Sequence, residues 1–134
     1  MKKILILTVS IITIYSLVIF SQPFWGGNTL SQNEVKKKWG SENLDYSKFK
    51  NSPDKIKAKM AYSIMTDKKL IGKSHDEIRE IFGNNDGFYF VDTYPSYIIQ
   101  RGKNRSDDTW QIVFRMTHDY KVRDIIVHKN CCER

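Results

Sequence analysis

Residues 110–116, WQIVFRM, and residues 122–129, VRDIIVHK, decide the fold of this chain. In the first stretch large apolar residues stand at every second position, which is typical of a β-strand with one buried face. The tetrapeptide at residues 117–120, Thr-His-Asp-Tyr, predicts the turn of a β-hairpin between the two strands. Asp124 interrupts the apolar pattern of the second strand and predicts a β-bulge there.

Two further strands are predicted on the amino-terminal side of this hairpin. Residues 88–91 alternate with period two after the turn sequence Asn-Asn-Asp-Gly, and residues 97–100 form a second short apolar stretch after Pro95. Residues 101–108 are polar and predict a turn. The sheet is therefore expected to be an antiparallel meander of three or four strands.

Two helices are predicted ahead of the sheet. Residues 52–69 begin with Ser-Pro-Asp, in which the serine is the expected N-cap and the proline suits the first helical position. Residues 75–82 follow the capping box formed by Ser74 and Glu77, and Gly83 is placed to end the helix in a left-handed conformation.

The length and composition limit the chain to one small domain. It has 134 residues, which excludes a two-domain Rossmann enzyme, a TIM barrel, a kinase and a propeller. A composition that is 40% hydrophobic and 13% aromatic also excludes a disordered chain. We predict an α+β domain over residues 52–134, in which both helices pack on the Trp110 face of the sheet.

The amino terminus predicts a location in the bacterial envelope. Lys2 and Lys3 precede the uncharged apolar residues 4–20. A membrane-spanning helix needs about 20 such residues and the apolar core of a signal peptide about 7–15. Residues 1–25 are therefore either a signal anchor, which places the protein in the cell membrane as a single-pass chain, or a signal peptide cleaved near Ser21, which makes it secreted or periplasmic.

Either interpretation places the rest of the chain outside the cytoplasm, because the lysine-rich end stays inside. Residues 26–51 are rich in Gly, Asn, Ser and Gln and are predicted to be a linker or tether. The formal net charge is +7, but nucleic acid is not expected as a partner in this location. The membrane is expected to be contacted through residues 4–20.

Residues 70–83, LIGKSHDEIREIFG, resemble the "G-x-[ST]-x-x-[DE]-[VI]-x-x-[LIF]-[LF]-G" helix of the BamE-like (SmpA/OmlA-type) small envelope proteins. Residues 110–114 followed by Lys121 and Val122 are similar to that family's "W-x-[LIV]-x-F … G-K-V" ending. The resemblance covers residues 70–128. It implies an α+β fold and a role in binding other envelope proteins without catalysis, and relatives of this architecture include inhibitors of secreted enzymes.

The chain differs from the outer-membrane members of that family because no cysteine directly follows the apolar residues 4–20, where a lipid would be attached. This difference argues against a role in β-barrel assembly. The resemblance therefore supports the fold more than the identity of a partner.

The sequence predicts no catalytic site, metal site or cofactor. It contains neither a His-x-x-x-His nor a Cys-x-x-Cys spacing. The expected function is that of a non-catalytic protein-interaction module of the bacterial cell envelope. One alternative is an inhibitor or immunity-type protein that binds a secreted enzyme. Another is a redox enzyme that depends on a possible pair of Cys131 and Cys132.

A polar and aromatic segment between the predicted helices and the hairpin is the predicted partner-binding surface. Tyrosine and arginine are favoured where protein interfaces hold most of their binding energy. The predicted binding residues are Tyr89, Asp92, Tyr94, Tyr97 and Arg101. The alternative is that these aromatic residues lie on a sheet face and are covered by the tether or by a helix.

Overall fold

The computed structural model describes residues 29–103 and 109–129, and this part of the chain has an α+β fold. It contains four helices, a short 3₁₀ turn at Lys68–Leu70 and one four-stranded antiparallel sheet. In chain order the elements are β1 (Thr29–Leu30), α1 (Gln32–Trp39), α2 (Tyr46–Asn51), α3 (Asp54–Thr66), α4 (His75–Phe82), β2 (Ser96–Gln100), β3 (Trp110–Met116) and β4 (Val122–Lys129).

The sheet is built around the predicted hairpin of β3 and β4. Its strand order is β1-β4-β3-β2, and every neighbouring pair is antiparallel. The register shifts near the turn, where Arg115 pairs with Asp124 but Met116 pairs with Val122. The extra residue is therefore Arg123, which lies one position before the predicted bulge.

The helices cover the Trp110 face of the sheet, as predicted. Ile112, Phe114 and Met116 lie on that face with Trp110 and are all buried in the main core. The core also holds a cluster of packed rings, in which the Phe82 ring centroid lies 5.2 Å from that of Phe114. This contact joins the carboxyl end of α4 to the middle of the sheet.

The observed bounds agree with the predicted ones for one of the two predicted helices and differ for the other. Helix α4 spans the predicted residues 75–82, and its capping box is formed, with the Ser74 amide donating to the Glu77 carboxylate at 2.7 Å. Helix α3 is shorter than the predicted 52–69 at both ends. Pro53 is its N-cap and Ser52 is the C-cap of α2, and Asp67 ends the helix and begins the 3₁₀ turn. Ser52 ends the helix directly upstream instead of beginning α3, and the Ser-Pro pair alone does not indicate that an upstream helix exists.

The structure differs from the prediction that residues 26–51 form a tether. The described part of this segment holds β1, α1 and α2, and α1 begins with its own capping box of Ser31 and Glu34. Val35 and Phe49 are fully buried. Each of these short helices supplies a single deep apolar anchor, so their stability comes from tertiary packing and is hard to recognise from apolar periodicity.

The predicted strand at residues 88–91 is absent from the described sheet. Phe90 has a φ of +57°, and the pairing found there is an isolated bridge between Tyr89 and Val91. The segment crosses the second face of the sheet instead of extending its edge. The edge of β2 is occupied by Asp86, whose carboxylate accepts from the Ile98 amide at 2.8 Å.

As a result β3 is buried on both faces, whereas the alternating pattern predicted one exposed face. Gln111 and Val113 point away from the helices, yet they are 5% and 0% exposed. The Gln111 carboxamide accepts from the Phe88 amide at 3.0 Å and donates to the Phe88 carbonyl at 2.6 Å. We call residues 84–95 the outer loop, because they lie over this second face.

In the described part of the chain, no helix is both long and apolar enough to cross a membrane. The predicted membrane segment at residues 4–20 lies outside the described residues, as does the predicted cleavage position near Ser21.

Gly87 is where the outer loop comes closest to the sheet. A Cβ atom there would collide with the Gln111 side-chain oxygen and would lie 3.0 Å from the Ser96 Cβ. Gly87→Ala is therefore expected to lower the free energy of unfolding by about 1–3 kcal/mol, as overpacking does. Chemical denaturation measures this change, and hydrogen exchange of the Phe88 amide should accelerate with it.

The matched control for this variant is Gly40→Ala. Gly40 has a φ of +92° and open space around its Cβ position, so alanine strains the backbone there without a collision. Exchange of the Phe88 amide should be unchanged in the control. Unaltered stability and exchange in Gly87→Ala would contradict the described fit of the outer loop.

Candidate functional site

A groove opens at the turn end of the β3–β4 hairpin. It has a volume of about 700 Å³, and its walls come from the outer loop and the hairpin. We call it the hairpin groove. Its lining residues are Val91, Thr93, Tyr94, Met116, Thr117, His118, Tyr120 and Arg123.

A second groove lies on the other side of Tyr120. It has a volume of about 480 Å³, and it shares Thr93 and Tyr120 with the hairpin groove. We call it the acidic groove, because three carboxylates line it. Its lining residues are Ser74, His75, Asp76, Asp92, Thr93, Asp119 and Tyr120.

The hairpin turn fixes the position of Tyr120. The Tyr120 amide donates to the Thr117 carbonyl at 3.0 Å, and the Thr117 amide donates to the Lys121 carbonyl at 2.8 Å. This closes a tight turn whose last position has a positive φ, which is +57° at Tyr120. The Tyr120 carbonyl also accepts from the His75 amide at 3.1 Å, which ties the turn to the start of α4.

The opposite wall of the hairpin groove depends on Tyr89. Its ring packs edge-on against His128 with centroids 5.0 Å apart, and it stacks with Tyr94 at 6.2 Å. Tyr94 in turn lines the groove. Tyr89 therefore links the sheet face to the groove wall without itself lining the groove.

The charged groups near the two grooves are mostly paired with neighbours. His118 lies 2.9 Å from Asp119, and His75 lies 3.1 Å from Asp76, both measured from ring nitrogen to carboxylate oxygen. Under the outer loop, hydrogen bonds to Asp124 and to Tyr89 raise the pKa of the Arg115 guanidinium. Arg123, which lines the hairpin groove, lies 3.3 Å from the same Asp124 carboxylate.

The adjacent Ser74, His75 and Asp76 have the residue types of a nucleophilic triad but not its arrangement. The Ser74 hydroxyl accepts from the Glu77 amide at 3.2 Å as part of the helix cap, and hydrogen bonds from Ser74 lower the pKa of the Glu77 carboxylate. The Ser74 oxygen is thus committed to holding α4.

The structure brings three of the five predicted binding residues to this region. Tyr94 lines the hairpin groove, Asp92 lines the acidic groove and Tyr89 supports the wall beneath Tyr94. They therefore lie near one another in the outer loop, and of the three only Tyr89 belonged to the strand predicted at residues 88–91.

The other two predicted binding residues line neither groove. Tyr97 is 1% exposed, its hydroxyl donates to the Gly83 carbonyl at 2.8 Å, and burial raises its pKa. It is a core residue and not part of a surface. Arg101 forms ion pairs with Asp54 at 3.0 Å and Asp86 at 3.1 Å, and it lines neither groove.

Cys131 and Cys132 lie outside the described residues, so the structure does not place the possible redox pair. Within residues 29–103 and 109–129, no group of three or more His, Cys, Asp or Glu side chains could hold a metal ion.

Three exposed apolar residues of this region were not among the predicted binding residues. Tyr120 is 57% exposed, and Phe90 and Val91 are 48% and 44% exposed. A signal for Tyr120 was available, because the last position of such a turn usually holds glycine or asparagine. Phe90 gave no such signal, since the sequence around it is typical of a strand.

Comparison of the chain with known proteins finds no matching family model, no matching curated protein and no matching solved structure. The resemblance to BamE-like proteins therefore stays a prediction.

The strain at Tyr120 predicts an unusual order of stabilities. A non-glycine residue in the left-handed region costs about 1–2 kcal/mol, and glycine avoids this but loses about 0.5–1 kcal/mol of chain entropy. Tyr120→Gly is therefore expected to match or exceed the wild-type free energy of unfolding. Tyr120→Ala keeps the Cβ strain and should be less stable than Tyr120→Gly. Thermal and chemical denaturation measure both, and an alanine variant more stable than the glycine variant would contradict the described turn.

Proposed function

We propose that this chain is a non-catalytic protein-interaction module of the bacterial cell envelope, and that it docks a partner protein on the hairpin groove. The observation that carries the proposal is the presence of two exposed aromatic residues with positive φ beside one groove. Tyr120 lines the groove, and Phe90 directly precedes its lining residue Val91.

Both residues are unfavourable for the isolated domain. Each has a backbone conformation that costs a non-glycine residue about 1–2 kcal/mol, and each exposes much of an apolar ring to water. Backbone strain of this kind clusters at ligand clamps and switch regions. Contact with a partner would bury these rings and offset the strain.

The lining of the hairpin groove has the composition of a protein interface. Aromatic residues, Met and Arg are enriched in such interfaces, and the groove contributes Tyr94, Tyr120, Met116 and Arg123. Threonine and histidine side chains add hydrogen-bonding groups around this apolar centre. A segment of a folded protein fits such a mixed surface better than a small charged metabolite does.

The envelope location in this proposal rests on the sequence of residues 1–25. The two lysines followed by an apolar stretch support either a membrane anchor or export after cleavage. The resemblance of residues 70–128 to BamE-like proteins agrees with a docking role outside the cytoplasm. An inhibitor or immunity-type protein would use the same surface, with a secreted enzyme as its partner.

Site-directed photocrosslinking in the native cells tests the proposal. A benzophenone amino acid replaces Val91, which lines the hairpin groove, or Ile71, which is 47% exposed and lines neither groove. The Val91 probe should give one reproducible protein adduct that the Ile71 probe does not give. In the chain that carries the probe at position 91, the substitution Tyr120→Gly should reduce the yield of that adduct about tenfold. This reduction corresponds to a loss of about 1.4 kcal/mol of binding free energy.

The outcomes separate the docking surface from incidental capture. Equal adducts from both positions, or an adduct indifferent to Tyr120→Gly, would refute docking on the hairpin groove. If the adduct is a secreted enzyme that the purified chain inhibits, the inhibitor form of the proposal is supported.

A further inference from the structure

A buried histidine lies under the outer loop and takes no part in the proposed docking surface. His128 is 3% exposed and pairs with Gln111 in the β3–β4 register. In the part of the chain that the structure describes, its Nδ1 atom is buried and has no hydrogen-bond partner. The ring contacts the Tyr89 ring, with centroids 5.0 Å apart.

The neutral form of His128 suits this position. An unpaired ring nitrogen under an aromatic ring is tolerable, but an imidazolium there would be a buried charge without a counter-ion. Burial lowers the pKa of His128, and hydrogen bonding to the Lys129 backbone opposes this change only in part.

The described groups around His128 offer no available anion. The outer loop contributes Tyr89, and β3 contributes the neutral Gln111 and, farther along the same face, the cationic Arg115. On β4 the Asp124 carboxylate already accepts from Arg115 at 2.6 and 2.9 Å, and the Lys129 ammonium lies over the Trp110 ring. Strand β1 pairs with His128 through the uncharged residue Thr29.

We propose that His128 and Tyr89 form a pH-sensitive clasp, in which protonation of the imidazole releases Tyr89 and the outer loop from the sheet face. The released loop lets water reach the charged ring. Because Val91, Thr93 and Tyr94 belong to this loop and line the hairpin groove, its release also loosens the groove wall. This last consequence rests on the proposed docking function, whereas the clasp itself does not.

The sign of the pH dependence follows from the direction in which burial moves the pKa. The pKa of His128 in the closed form lies below its ordinary value of 6.5. The open form therefore binds more protons as the pH falls, and the clasp has its full stability above about pH 6.5. That stability is lost as the pH falls below this value toward the closed-form pKa.

The contact between Tyr89 and Tyr94 carries the effect to the groove. The two rings are stacked with an interplanar angle of 21°. Tyr89 is also hydrogen bonded to Arg115, so its release opens that bond as well, and the stacked position of Tyr94 then loses its support on the sheet side. Gln111 still holds Phe88, so the released part of the outer loop is expected to begin after that residue.

Hydrogen exchange on the purified full-length chain in mild detergent tests the clasp. Protection factors are compared at about pH 7.5 and about pH 5, which bracket the titration of a histidine, after correction for intrinsic exchange. Peptides covering residues 89–95 should lose more than about twofold of their protection at the lower pH in the wild type, because the open form binds the proton more tightly than the closed form. Peptides from α3 should keep their protection.

The non-titrating variant His128→Gln should reduce this pH response to less than about twofold. The control within the same samples is α3, none of whose residues lines the hairpin groove, and its peptides should keep their protection in both chains. An equal pH response in His128→Gln, or an equal loss of protection in α3, would overturn the clasp.

A second measurement keeps the proposal testable if His128→Gln does not fold. The imidazole proton resonance of His128 in the wild-type chain, followed by NMR, should titrate below 6.5, and a midpoint at or above 6.5 would overturn the proposal. Neither measurement needs a partner. A pH-dependent loop combined with failed photocrosslinking would therefore refute the docking function alone.

Discussion

The double hydrogen bond between the Gln111 carboxamide and the backbone of Phe88 is the interaction on which the outer loop and the proposed docking surface depend. It satisfies the buried polar atoms of Gln111 and fixes the outer loop on the second face of the sheet. Gly87 allows the close approach, because a larger residue would meet the Gln111 oxygen. With the loop in place, Tyr89 covers His128, and the loop residues beyond it form one wall of the hairpin groove.

The parts of the fold that could be predicted are those whose sequence signals lie within a few consecutive residues. The hairpin of β3 and β4 and the capped helix α4 each carry their signal within a few consecutive residues, and the structure has them as predicted. The helices between residues 32 and 51 escaped prediction because each buries one large anchor, Val35 or Phe49. The outer loop escaped because its alternating sequence, which fits a strand, is overridden by contacts with Gln111 and His128, residues more than 20 positions away.

The same reasoning explains how much of the binding region could be anticipated. Two of the five predicted binding residues belong to the wall of the proposed groove, Tyr94 as a lining residue and Tyr89 as its support, and tyrosines near polar residues are typical of interfaces. Tyr97 belonged to the same pattern but faces the helices, and only the strand register reveals which side of the sheet a residue occupies. Tyr120 reaches the groove from a distant hairpin, and such proximity between loops is a property of the tertiary structure.

We propose that a partner in the envelope covers Phe90 and Tyr120, which are exposed in the isolated domain. Hydroxyl-radical footprinting with mass spectrometry measures this exposure directly, on the purified chain and on the chain in native envelopes. We predict much lower labelling of both residues in the envelope and unchanged labelling of the exposed Ile71. Equal labelling of Phe90 and Tyr120 in the two samples would contradict the account.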